Sequence, residues 1–597
     1  MYRILDAMQK LIDEGDLAKV IKVKPEIAKR LFPFIMKVFS LEKLNDIYEK
    51  GNKNSPLEFT VSVLDGLGIK FEIPQNEIER LPKEGPFITV SNHPYGGIEG
   101  LLLISLLGKK FPNFKLLTNF LLERVIPLKS YFLSVNPFDD NKQLASSLSG
   151  IKQALEHLKN KGVLSLFPAG EVSSFQTNSR KIVDREWQKG ALKLIYKANV
   201  PVVPIYFKGS NSRFFHLLGL IHPRLRTAKL PSEIFNKKQQ KITIRIGKPI
   251  LPNEINGFED ANQMGRFLRA KTYALGSALE VSTIFNLSLK RFEFLRLQNK
   301  MKPIADPISN DLIQQEIKSL SKERMLLAQG DYEVYLAYST EIPNALKEIG
   351  RLRELTFRKI DEGTGNRIDL DEYDLYYHQL ILWNRQKQRI VGGYRIGKGN
   401  DIIGKYGKKG FYLHSLFKLK NSFTSYLAQS IELGRSYIIE EEQKKPMPLF
   451  LLWKGILFFV LNNPEYRYLI GPVSISNHYS KLSKALIIEF IRQNYFDEYL
   501  ASFIKARHPF KTKLSNDEKE VLLSKSKKDI KLFDRFIEEI EPSHYTLPVL
   551  LKKYIKQKAK IIGFNVDPKF KNALDGLIFL EIQKIPSKTI ENLKNRN

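Results

Sequence analysis

The sequence predicts an α/β fold built as two unlike units. Three observations carry that expectation. Short apolar runs ending in polar Gly or Pro turns recur between residues 65 and 300. A fresh series of strand and helix patterns starts after residue 330. Between them Met301-Lys302-Pro303-Ile304-Ala305-Asp306-Pro307-Ile308-Ser309 interrupts the pattern with prolines. The expected order is a helical segment over 1–60, an α/β domain over 61–300, a linker over 301–325 and a mixed α/β domain over 326–597.

In the first segment Leu31, Phe32, Phe34, Ile35, Val38 and Phe39 recur at helical spacing, which packs a core face. Phe87-Ile88-Thr89-Val90 is an apolar strand that runs into Ser91-Asn92-His93-Pro94-Tyr95-Gly96-Gly97-Ile98-Glu99-Gly100, a corner suited to a strand-to-helix turn. Leu166-Phe167-Pro168-Ala169-Gly170-Glu171-Val172-Ser173 repeats the plan of strand, tight turn and polar residue. Val200-Pro201-Val202-Val203-Pro204-Ile205-Tyr206-Phe207 is a third apolar strand, and Lys241 to Ile250 alternates and closes on Gly247 and Pro249. Polar residues at successive strand ends are how an α/β sheet assembles a site.

After the break a helix is expected, then the alternating strand Tyr332 to Tyr338 and a helix ending in Leu352 to Arg358. Tyr376 to Trp383 and Arg389 to Ile396 alternate on either side of the polar turn Asn384 to Gln388, which predicts a hairpin. Phe411 to Leu416 and Ile431 to Tyr437 complete a mixed α/β order. Leu449 to Leu461 is the longest apolar run; it is short for a membrane span and broken by Lys454, so it reads as a buried helix.

Composition narrows the function. The 597 residues contain no cysteine, which excludes disulfides, thiolate–zinc sites and a covalent cysteine intermediate. The nine histidines show no metal-binding spacing, and no metal is expected. No secretory signal is expected at the start of the sequence. The formal charge of +31 favours anionic partners. The lysines are dispersed and no nucleic-acid-binding signature is present, so an anionic membrane surface or an acidic protein fits better than nucleic acid.

His93 and Glu99 share one Gly-rich turn. A histidine beside a carboxylate can act as a general base on a hydroxyl, with the acid fixing the tautomer and stabilising the imidazolium. The same pair can also be plain structural chemistry, satisfied and inert.

The order of His93 with Glu99, then Phe167-Pro168-Ala169-Gly170, then Val200 to Pro204 resembles the glycerolipid O-acyltransferase family, the PlsC-type phospholipid/glycerol acyltransferases and their haemolysin-like branch. That resemblance implies a catalytic His93 paired with Glu99. It implies substrate-binding roles for Phe167, Pro168, Gly170 and Glu171. The chain departs from the family pattern in three ways. Five residues separate the histidine from the acid, which is Glu99 and not Asp. Ala169 stands where the third motif has Glu, with Glu171 two places on. The second motif is not evident, Arg124 being the nearest arginine for it.

The second half resembles the Gcn5-related N-acyltransferase (GNAT) fold, and within it the enzymes that make N-acyl amino acids and acyl-homoserine lactones. The residues that carry this are Arg351 to Arg358, Asp374, Val391-Gly392-Gly393-Tyr394-Arg395, Glu432-Leu433-Gly434-Arg435-Ser436, Leu451 to Ile456, Gly563 to Pro568 and Ala573 to Leu577. The resemblance implies direct attack of an amine on a thioester, with main-chain N–H groups at a splayed strand polarising the carbonyl. Glu432 is the candidate base or the group that orients Arg435; a structural Glu–Arg pair is the alternative. Arg395 and Arg435 are candidate substrate-binding residues. Gly404 to Gly410 does not match the pyrophosphate loop of coenzyme A users, which favours acyl carrier protein as donor.

Together the resemblances imply a bifunctional aminolipid synthase, of ornithine- or glycine-lipid type. One half N-acylates an amino acid with a 3-hydroxyacyl thioester, and the other O-acylates the resulting hydroxyl. No bound cofactor is expected. The donor is an acyl carrier protein thioester or acyl-CoA, the acceptors are an amino acid and a lyso-lipid, and the expected place is the cytoplasmic, inner face of the membrane. Two alternatives are a glycerophospholipid O-acyltransferase with a non-catalytic second half, and a peripheral membrane scaffold with both sites dead.

Overall fold

Apolar runs with both faces buried form the centre of a largely parallel sheet in the first half of the chain. The computed structural model describes residues 55–119, 125–135, 144–176, 181–277 and 301–594, apart from residues 222, 238, 513, 515, 525 and 544. The helical segment expected over the first residues and Arg124 fall outside the described residues, save for the end of the segment. The chain divides into two units, Met1–Val281 with Glu520–Ser524, and Ser282–Lys519 with Lys525–Asn597.

In the first unit α1 (Pro56–Gly66) opens on a Ser55 cap, whose side chain accepts from the Glu58 N–H while Glu58 reaches back to the Ser55 N–H. Strands β1 (Lys70–Glu72) and β2 (Phe87–Ser91), helix α2 (Ile98–Leu103), strands β3 (Phe114–Asn119) and β4 (Phe132–Val135), helix α3 (Leu144–Lys159) and β5 (Val163–Leu166) follow. The short hairpin β6 (Ser174–Gln176) and β7 (Lys181–Val183) leads to α4 (Lys189–Ala198), β8 (Val202–Phe207), α5 (Arg213–Ile221), α6 (Pro223–Glu233), β9 (Lys241–Ile246) and α7 (Ala261–Ser277).

The sheet order is β1-β9-β8-β2-β5-β3-β4, parallel throughout except for the β8–β9 pair. Phe87 of β2 faces a core with Leu102 and Leu103 of α2. Its neighbours Ile88 and Val90 face a second core with Leu158 of α3, Leu194 and Ile195 of α4 and Leu268 of α7. Burial on both sides is why β2 and β8 read as continuous apolar runs and not as alternating ones.

The second unit begins with α8 (Asn310–Ser319), the hairpin β10 (Met325–Gln329) and β11 (Tyr332–Tyr338), α9 (Pro343–Lys359), and the predicted hairpin β12 (His378–Asn384) and β13 (Arg389–Lys398). Next come β14 (Phe417–Leu419), β15 (Ser430–Ile438), α10 (Pro446–Leu461), β16 (Tyr468–Ile475), α11 (Lys481–Tyr495), β17 (Ile504–Ala506), β18 (Lys560–Asp567) and β19 (Ala573–Glu581). Eight strands form one sheet in the order β10-β11-β12-β13-β15-β16-β19-β18.

Only β15 and β16 are parallel in that sheet, and they pair over just three residues each, Ser430–Glu432 with Tyr468–Ile470. Both strands continue, to Ile438 and Ile475, without pairing to each other, so they part after Glu432. The long apolar run is helix α10, packed on β12 and its neighbours. Leu451, Leu452 and Ile456 are fully buried there, each stabilising by roughly 1.5–3 kcal/mol. No helix among the described residues is long and apolar enough to cross a membrane.

Candidate active sites

Adjacent parallel strands deliver their following loops to the same edge of a sheet. β2 and β5 are such neighbours, registered Val90 to Leu166, and His93 leaves one while Phe167 leaves the other. The two rings stack with centroids 4.2 Å apart and planes 22° apart. Ser173 donates its N–H to the His93 carbonyl at 2.8 Å. Asp184 Oδ1 accepts from the His93 N–H at 3.2 Å and from Ser173 Oγ at 2.5 Å. On the other side of β2, Asn92 exchanges two hydrogen bonds with Phe207 at the end of β8, at 2.9 and 2.7 Å.

Glu99 lies in the first turn of α2, fully buried, with Oε1 3.3 Å from His93 Nδ1. The five-residue separation closes because Gly96 takes φ +101°, where a side chain is strained and a Cβ would sit 2.7 Å from Leu230 Cδ1. The carboxylate also accepts the Tyr95 N–H at 2.5 Å and the Gly96 N–H at 3.0 Å. Burial disfavours both charges, and the mutual attraction outweighs it. His93 is accordingly held above its ordinary pKa despite desolvation. Glu99 is held below the usual carboxylate range, against burial, by His93 and the turn's N–H groups. With Nδ1 facing the carboxylate, Nε2 is the nitrogen left to take a proton from an acceptor hydroxyl.

The third-motif segment has its own supports. Gly170 N–H donates to the Phe167 carbonyl at 3.0 Å, and Gln188 N–H donates to the Pro168 carbonyl at 2.8 Å. Gly170 has φ +68° and lies so close to the Gln188 side chain that a Cβ would come within 2.1 Å of its Nε2. Ala169 is buried in the core beside Trp187. Glu171 is the carboxylate at the surface of this turn, paired with Arg226 at 2.8 Å and Arg185 at 3.1 Å. Ser173 stands at the end of the third-motif segment with nothing in sequence to mark its role, and Asp184, Arg185 and Arg226 were not evident because they come from separate segments.

In the second unit the candidate residues join a buried charge network. Arg395 of β13 reaches Asp371 Oδ1 at 2.5 Å and Asp374 Oδ2 at 3.2 Å. Its guanidinium lies 5.3–5.4 Å from the ring centres of Tyr373, Tyr377 and Tyr412. Arg353 of α9 holds the other side of Asp374 at 2.8 Å and Gln379 at 2.7 Å. Although burial opposes it, this pairing with Arg353 and Arg395 holds Asp374 well below the usual range. Arg435, at φ +50° on β15, pairs with Asp369 at 2.9 Å and Asp371 at 3.1 Å.

Glu432 therefore does not orient Arg435; Asp369 and Asp371 do. Glu432 is buried at the last paired position before β15 and β16 part. It accepts from the Leu413 N–H at 2.8 Å, the Tyr412 N–H at 3.2 Å and the Tyr377 hydroxyl. Burial pushes its pKa up to about 7. Beyond the parting point Ser474 of β16 donates to Asp575 Oδ1 of β19 at 2.9 Å, and Tyr412 donates to Asp567 Oδ2 at 3.0 Å. Burial, reinforced by Asp567, pushes Asp575 up to about 8. Among the described residues no His, Cys, Asp and Glu cluster has the arrangement to hold a metal ion.

Comparison with known proteins matches each unit separately. Residues 19–282 match the family model described as Acyltransferase, and residues 352–453 match the Acetyltransferase (GNAT) domain. A glycine N(alpha)-acyltransferase of Bacteroides thetaiotaomicron is 29% identical over 300 residues, 48% of this chain and 87% of its own. A lyso-glycine lipid O-acyltransferase of Phocaeicola vulgatus is 28% identical over 273 residues, 44% of this chain and 94% of its own. A probable 1-acyl-sn-glycerol-3-phosphate acyltransferase of Mycoplasma pneumoniae is 28% identical over 201 residues, 33% of this chain and 69% of its own.

Proposed function

We propose that this chain, an acyltransferase of lipid metabolism with a PlsC-like domain followed by a GNAT domain, performs two successive transfers. The GNAT unit N-acylates an amino acid, glycine being the acceptor named in the relatives, with a 3-hydroxyacyl thioester. The PlsC-like unit then O-acylates the 3-hydroxyl of that product. The observation that carries the reading is the His93–Glu99 pair at the end of β2, stacked on Phe167.

In the second transfer the hydroxyl oxygen attacks the thioester carbonyl while His93 Nε2 takes the hydroxyl proton. Glu99 stabilises the imidazolium, and the proton passes to the departing thiolate as the C–S bond breaks. In the first transfer the amine nitrogen attacks the thioester carbon, the C–S bond breaks, and the nitrogen gives its proton to an ionised carboxylate, which passes it to the departing thiolate. Glu432 and Asp575 both have pKa values suited to accept it. Both oxygens of Glu432 accept hydrogen bonds and Oδ1 of Asp575 accepts one from Ser474, so the two carboxylates stand as rival acceptors. The donor is a thioester of acyl carrier protein or coenzyme A. The GNAT relationship supports a thioester and the basic charge favours the acidic carrier protein. One chain holding both sites raises the local concentration of the intermediate at the second site.

The test is mass spectrometry of lipids from a host expressing the chain or its His93→Ala variant. A diacylated aminolipid from the first and its mono-acyl amide from the second are expected. Altered phospholipids with no new amide in either would replace this reading with a glycerophospholipid O-acyltransferase, in line with the Mycoplasma pneumoniae relative.

A further inference from the structure

Helix α5 is amphipathic in the wrong sense for a surface helix. Phe215 and His216 are buried, while Phe214, Leu217 and Leu220 are 53%, 54% and 55% exposed. Positions i, i+3 and i+6 share one face, so the solvent side of α5 is an apolar stripe. Large apolar side chains grouped on an outer face mark an interaction surface. The charged residues of the segment that carries the stripe are of one sign up to Glu233. From Lys208 to Ser232 the sequence has no Asp or Glu; Arg226 and Lys229 are engaged by Glu171 and Glu233 at 2.8 and 3.2 Å, while Lys208 and Arg213 stand exposed. Glu233, the first acid, is buried and spent on capping α5, where it accepts the Ser212 N–H and Oγ–H, each at 2.8 Å.

The same hairpin is bolted to the His93 site. Asn211, just before α5, donates to the Tyr95 carbonyl at 3.1 Å. Arg226 of α6 holds Glu171 at 2.8 Å, and Leu230 packs on Gly96 so closely that a Cβ there would be 2.7 Å away. The α5–α6 pair is thus one rigid roof over the His93 turn, with its apolar stripe outward.

We infer that the outer face of α5 docks this unit on an anionic lipid bilayer, with Phe214, Leu217 and Leu220 entering the acyl boundary and the flanking cations meeting lipid phosphates. An apolar stripe entered by the exposed cations Lys208 and Arg213 fits that surface and not a cationic or neutral one. The docking would bring a lipid acceptor to His93 from the membrane, so it rests on the reading of the first unit as a lipid O-acyltransferase.

Because the chain has no cysteine, Leu217→Cys carries a single environment-sensitive fluorophore, with Lys193→Cys on α4 as the control. Vesicles of phosphatidylcholine with phosphatidylglycerol are expected to blue-shift the label at position 217 and expose it to quenching by lipid-borne spin labels. The control should stay unshifted, and pure phosphatidylcholine should give about tenfold weaker binding. No shift at 217, or an equal shift at both sites, overturns the inference. So does a shift that needs only protein concentration, which would assign the stripe to a second copy of the chain. In the full chain, changing Phe214, Leu217 and Leu220 together to serine is expected to weaken vesicle sedimentation about tenfold. Transfer to a water-soluble short-chain hydroxyl acceptor is measured separately. Its absence in a protein that still docks would sink the O-acyl reading and leave the docking standing.

Discussion

The two units handle charge in opposite ways. In the first, one imidazole and one carboxylate pair at a strand end, with Asp184 on the His93 N–H, and the ring is 15% exposed while Glu99 is sealed. In the second, three arginines and three aspartates interlock around Tyr373, Tyr377 and Tyr412, and the described network contains no histidine. The first arrangement suits a group that must gain and lose a proton at each turnover. The second suits a scaffold whose charges never change, with the titrating carboxyls of Glu432 and Asp575 standing outside the arginine–aspartate pairs.

The sharpest way to break this comparison is His93→Ala. O-acyl transfer should fall by about 10²–10⁴ while amide formation keeps its rate, each followed with its own acceptor. Equal loss of both would mean that the units do not act independently. Next comes Arg395→Met, which takes one of two arginines from each of Asp371 and Asp374 and leaves them Arg435 and Arg353. A buried charge left without any partner costs about 3–5 kcal/mol and these keep one, so the second unit should melt earlier in calorimetry by less than that and lose amide formation, with the first unit's transition unmoved.

Glu99→Gln sharpens the contrast through pH. His93 acts as base only when neutral, so wild-type O-acylation should decline as pH falls through a value above the ordinary histidine range. Removing the carboxylate leaves burial as the dominant influence, which lowers the histidine pKa. The acid limb should therefore move to lower pH while the plateau rate drops, and an unmoved limb would detach Glu99 from the proton transfer.

A last contrast lies in the pH dependence of stability. Asp575 keeps its proton in the folded state up to about pH 8, against an ordinary value of 3.8. That contribution is complete below the unfolded value and is lost as pH rises through this window. Asp575→Asn should flatten the decline of the second unit's melting temperature between those limits. The same variant should slow amide formation if Asp575 accepts the proton; a full rate would return the role to Glu432.

The sites were legible to unequal degrees for a related reason. His93 and Glu99 fall within one short segment, so local sequence displays both members, and the α/β order pointed to Phe167 at a second strand end. The turn geometry that spans the longer separation was not visible, because it depends on the backbone conformation of Gly96. In the second unit Glu432, Arg435 and Arg395 were found as residue types in a pattern, but their pairings were not. Arg353 was visible only as part of the helix Arg351 to Arg358, Asp369 and Asp371 were not singled out, and only tertiary packing shows their pairings. The reading of Leu449 to Leu461 as a buried helix needed no such information, since Lys454 and its length already argued against a membrane span.

The exchange between Asn92 and Phe207 has a consequence for time as well as place. A loop carrying a reactive side chain normally opens on its own, far more often than the sheet beneath it. Here the turn is sewn to one neighbouring strand through Asn92, to the following helix through Glu99, and to a second loop through Asp184. Opening it means loosening three elements together, so the amide hydrogens of Tyr95 and Gly96 should trade with solvent at the slow pace of the central strands. In its kinetics, this loop belongs to the sheet.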